Sequence, residues 1–132
     1  MKIVEHGEAG YTLSFYPQMY TWGLDVPSEA QLACQAVASY VESTLEEAGP
    51  DRQAEVSETL RQDGIIDMRA QLESRADEHV TVRLSERQVR LLGQMIDRSV
   101  KTDLQYHGVN VKGYLAERAA ASMAAHIDEF LG

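Results

Sequence analysis

Two periods of hydrophobicity follow one another along this chain. Residues 11–16 set Tyr11, Leu13 and Phe15 against Thr12, Ser14 and Tyr16, the alternation of a half-buried strand. Residues 2–4 have strand character too, and the glycines of the 6–10 link suit a hairpin loop, so a first hairpin is predicted over about 2–16. Pro17 ends it, and residues 19–23 read as a third strand or an ordered loop. A second alternation sets Ile66, Met68, Ala70 and Leu72 against Asp67, Arg69, Gln71 and Glu73. These residue types are good helix formers, but alternation over eight residues gives a helix no single face to bury. The expectation is therefore a strand, paired with residues 79–84 in a second hairpin over about 66–84. Val80, Val82 and Leu84 are its expected buried positions.

Helical spacing takes over elsewhere. Ser28, with Pro27 before it and Gln31 three residues on, opens a helix over about 28–47 through a capping box. Its apolar stripe is Leu32, Ala36, Val37, Tyr40, Val41 and Leu45, and Gly49-Pro50 ends it. Asp51 is the expected cap of a short helix reaching about Arg61, with Val56 and Leu60 inward, and Asp63-Gly64 marks a turn. Ser85 and Gln88 repeat the capping box for a helix over about 85–104. Val89, Leu92, Ile96, Val100 and Leu104 form its stripe, and Leu91 and Met95 widen it. A last helix over about 112–130 follows, with Asn110 as its expected cap and a run of small side chains at 119–125. Hairpins alternating with three main helices predict one α+β domain over residues 1–132.

Composition changes the picture chiefly through charge. Residues 1–78 hold five Lys/Arg and fifteen Asp/Glu, and residues 79–132 hold seven and six, within a total of −9. An acidic first half opposes bulk binding to phosphate backbones and to anionic lipid, so nucleic acid and membrane are not the expected partners. It favours a basic protein surface. One cysteine, Cys34, allows no internal disulfide and reads as a small apolar residue on a helix. No secretory, lipidation or membrane-spanning pattern is seen, and the expected compartment is the cytoplasm.

Candidate chemistry is sparse. His6, His79, His107 and His126 have no metal-ligand spacing with one another or with Cys34, so no metal or cofactor is expected. There is no nucleophile elbow and no phosphate-binding glycine loop. Acidic neighbours such as Glu46-Glu47 diverge instead of converging. The candidate interaction residues are Glu42, Glu46, Glu47, Asp51, Glu55 and Glu58, carboxylates that helical spacing brings into one neighbourhood. Five of the nine aromatics fall within residues 11–22, which adds Tyr16, Tyr20 and Trp22 as interface anchors.

Residues 80–86, Val-Thr-Val-Arg-Leu-Ser-Glu, run a strand into a capped helix, and a second helix opens near Val111. This third of the chain resembles the ribbon-helix-helix DNA-binding regulators. The resemblance implies that His79, Thr81 and Arg83 point into a major groove. Three features depart from that family: a longer first helix, a link at 106–109 without compact turn chemistry, and the acidic first half.

The favoured expectation is a non-enzymatic acidic protein that binds a macromolecular partner. It would be an accessory regulator, or an inhibitor that presents carboxylates to a basic nucleic-acid-binding site. The alternatives are the ribbon-helix-helix-like regulator and, third, an enzyme of unrecognised type. The surplus apolar positions Leu91 and Met95, with the alanine-rich last helix, suggest a homodimer.

Overall fold

A computed structural model describes residues 1–17, 26–75, 77–102 and 111–132. The chain is α+β, and the described residues form a three-stranded antiparallel sheet and five α-helices. The order is β1 (Lys2–Glu5), β2 (Tyr11–Phe15), α1 (Glu29–Ala48), α2 (Gln53–Gln62), α3 (Ile65–Leu72), β3 (Val80–Leu84), α4 (Glu86–Thr102) and α5 (Val111–Leu131).

The first hairpin forms as expected, with Ile3 opposite Leu13 and Val4 opposite Thr12. Gly10 closes it at φ +91°, in the region favoured by glycine, and a Cβ there would lie 2.6 Å from the Leu84 carbonyl oxygen. The second hairpin does not form. Residues 65–72 are helix α3, and β3 pairs instead with β2, placing Leu13 opposite Val82 and Phe15 opposite Val80. The sheet order is β1-β2-β3. Ile65, Met68 and Leu72 are buried at helical spacing, whereas Ile66 and Ala70, which the strand reading turned inward, are exposed. Helix propensity and the burial of Ile65 outweigh the alternation.

Three glutamines brace α3. The capping boxes at Ser28/Gln31 and Ser85/Gln88 both close as expected. Each capping glutamine also reaches one end of α3. Gln88 Nε2 donates to the Gly64 carbonyl at 2.9 Å, and Gln31 Nε2 donates to the Ser74 carbonyl at 3.4 Å. Gln71, on α3 itself, accepts from the Arg83 N–H at 3.0 Å and donates to the Arg83 carbonyl at 3.2 Å. Its amide thus stands where a neighbouring strand would, and covers part of the outer edge of β3.

One core joins all of this. Ile3, Leu13, Phe15, Val80, Val82 and Leu84 supply the buried sheet face, and all five helices pack their apolar stripes into the same cluster. α4 and α5 share the most extensive contact. Gly93 is the point of close approach, since a Cβ there would lie 2.8 Å from Ile127 Cγ2. Met95 is buried and Leu91 is partly buried against the core. Asp51 does not cap a helix. It lies in a 3₁₀ turn over Pro50–Arg52, and α2 follows with no side-chain cap bond. Asn110, Leu104 and residues 19–23 lie outside the described residues.

Candidate interaction surfaces

The acidic surface is built by α1, the turn after it, and α2. Glu42 and Glu46 are one turn apart on the exposed side of α1, and Glu47 flanks them. Gly49-Pro50 then turns the chain, so Asp51, Glu55 and Glu58 follow, all exposed, across the break. These six differ in their electrostatics. Glu58 is held by the Arg61 guanidinium, whose hydrogen bonds and charge draw its carboxyl below the usual range. Glu55 lies 3.8 Å from Arg52. Glu42, Glu46, Glu47 and Asp51 have no ion-pair partner among the described residues.

Glu46 and Glu47 are also placed against the helix dipole. They occupy the last turn of α1, the negative end, which carries no basic residue. Carboxylates are unfavourable at such a terminus by a few tenths of a kcal/mol or more each. Glu42 and Glu46 add a like-charge pair at i,i+4. Folding alone therefore gives no reason for this arrangement.

A second surface is the sheet face turned away from the core. Alternation from the buried residues places Lys2, Val4, Thr12, Ser14, Thr81 and Arg83 on it. His6 continues the row, with Nε2 2.7 Å from Thr12 Oγ1. Tyr16 extends the middle row and stacks on His79, ring centroids 6.0 Å apart and 27° between planes. The Tyr16 N–H is fixed by Glu29 at 2.9 Å. His79, Thr81 and Arg83, named from the ribbon-helix-helix resemblance, thus share one exposed face with Tyr16. The partners Lys2, Val4 and His6 were missed in sequence, although their parity was readable. What could not be read was which strand lies beside which. Tyr20 and Trp22 lie outside the described residues.

Other features offer less chemistry. Cys34 is half-buried, and burial with Glu73 nearby pushes its thiol above the usual value. The cleft beside it, about 240 Å³, also contains Ser74, whose buried Oγ has no hydrogen-bond partner among the described residues. A groove of about 420 Å³ runs between α4 and α5 past Gly93, Asp97, Ala121, Ala125 and Asp128. Among the described residues no three His, Cys, Asp or Glu side chains converge to hold a metal ion. Among them, too, no helix is long and apolar enough to cross a membrane.

No known family, no curated protein and no solved structure matches this chain.

Proposed function

We propose that this protein works without catalysis, by docking the acidic end of α1 and the following turn onto a basic surface of a protein partner. Such a partner would be regulated or inhibited by occupation of that surface. The observation that carries the reading is the position of Glu46 and Glu47. They sit at the negative end of a helix whose last turn has no basic residue, with Glu46 one turn from Glu42 and neither in an ion pair among the described residues. A local electrostatic conflict of this kind is common where a site is kept for binding and not for stability. A Lys/Arg-rich partner surface supplies the missing counter-charges and accelerates encounter.

Affinity capture from the native cell tests this, with the wild-type chain beside Glu46→Lys/Glu47→Lys and a control reversal on α5, Glu129→Lys. The expected result is a partner that elutes as salt is raised, is lost with the double variant and is kept with the control. Equal capture by the double variant would overturn the reading.

A further inference from the structure

We propose that the open sheet face is a docking platform for single-stranded nucleic acid, independent of the acidic surface. The face carries Lys2, Val4, His6, Thr12, Ser14, Tyr16, His79, Thr81 and Arg83; the Glu29 carboxylate lies at its edge, where it accepts the Tyr16 N–H and is paired with the N-terminal ammonium at 3.0 Å. The nearest acids along the chain fall on the other alternation: Glu5 follows Val4, and Glu78 precedes His79 and pairs with Arg75 at 3.3 Å. Lys2 and Arg83 are exposed and have no ion-pair partner among the described residues. Tyr16 is 46% exposed, so its ring is open to solvent even while it stacks on His79.

Cations that pair with phosphates beside an aromatic ring that stacks on a base are the two elements of single-strand recognition. Hydroxyls of Ser14 and Thr81, opposite each other in register, add neutral hydrogen-bonding groups between them. Three short strands give a platform of about 10 by 15 Å, room for two or three nucleotides. An acidic peptide would use the cations but leave the ring idle, and a duplex hides its base faces.

The overall charge of −9 does not forbid this. Apart from Glu29, whose charge the N-terminal ammonium offsets, the acidic residues of α1 and α2 are exposed on the helices that cover the buried sheet face, and the platform is the opposite face of that sheet. A helix layer is itself about 10 Å thick. The Debye length is about 8 Å at physiological salt, so those charges are largely screened at the platform.

The test is fluorescence anisotropy with labelled oligothymidylate and oligouridylate on the full chain. Saturable binding of either is expected, with a log–log salt slope near −1.4 for two phosphates neutralised. Arg83→Ala should flatten that slope by about 0.7. Tyr16→Ala should weaken binding at least about fivefold while leaving the slope unchanged. Both side chains are exposed, and circular dichroism confirms that the variants fold. Failure of both oligomers to bind at low salt overturns the proposal. So does binding indifferent to both substitutions, equal affinity for a duplex, or displacement by oligoglutamate as readily as by the oligonucleotides.

Discussion

Replacing Glu46 and Glu47 by lysine should make the protein more stable while removing its proposed interaction. Both carboxylates lie in the last turn of α1, and no basic residue offsets them there. An exposed charge at a helix end is worth about 0.3–1 kcal/mol. Each substitution removes an unfavourable charge and supplies a favourable one, and loss of the Glu42–Glu46 repulsion adds a few tenths. At the low end of that range, appropriate to fully exposed charges, the sum is about 1–2 kcal/mol at low ionic strength. A chain of 132 residues unfolds with an entropy of about 0.28 kcal/mol per kelvin. Tm should therefore rise by about 4–7 °C in thermal melts at low salt. The gain should shrink as salt is added, because the charges are exposed. An unchanged or lower Tm would show that these carboxylates make stabilising contacts, and the argument from electrostatic conflict would fail. A higher Tm with partner capture intact would leave the conflict real but functionless.

Gln71→Ala removes two bonds to the Arg83 backbone. Urea unfolding should report a loss of about 1–2 kcal/mol, with faster aggregation as the β3 edge opens. Gly93→Ala gains about 1 kcal/mol of helix propensity but drives a Cβ to 2.8 Å from Ile127 Cγ2 in the core, so a net loss of up to about 2 kcal/mol is expected in the same assay. Cys34 titrates above its ordinary value of 9.0 because burial disfavours the thiolate. Iodoacetamide should accordingly label the native protein more slowly than the unfolded chain at pH 8, with a rate still rising past pH 9; equal rates would place the thiol in solvent.

The helix starts were legible because their signals are local. Ser28/Gln31 and Ser85/Gln88 need only three residues of context, and both boxes close. The error at 66–73 came from a degenerate pattern. Met68 and Leu72 fit a period of two and a helical face equally well, so the decision rests on whether Ile65 or Ile66 is buried. Ile65 is, at 2% exposure against 40% for Ile66. What holds that helix in place is long-range: Gln31 and Gln88, each in another element, reach its two ends. The partner of β3 was hidden for the same reason. The nearest alternating stretch looked like its mate, while the true one, β2, lies far back along the chain. Within the acidic surface, i,i+4 spacing was enough to group Glu42 with Glu46. The Arg52–Glu55 and Glu58–Arg61 pairs stand at i,i+3 and were as readable, whereas the other four have no ion-pair partner among the described residues.

That long-range pairing also re-sorts the charge. In sequence the division runs between residues 78 and 79, acidic before and near-neutral after. In space it does not. Lys2 and His6 belong to the acidic half, yet the order β1-β2-β3 sets them on the same open face as His79 and Arg83. The acids of α1 and α2 other than Glu29, which pairs with the N-terminal ammonium, are left on the helices that cover the buried face. A molecule so divided can engage two surfaces of opposite sign at once, and the two contacts have separate signatures. Arg83→Ala should change oligonucleotide affinity and leave partner capture alone. Glu46→Lys/Glu47→Lys should do the reverse, apart from a modest rise in nucleic-acid affinity from the added positive charge, which salt removes. If the two sets of substitutions instead act on one another beyond that salt-sensitive background, the surfaces are energetically coupled, and the separation of charge across the core is not what organises binding.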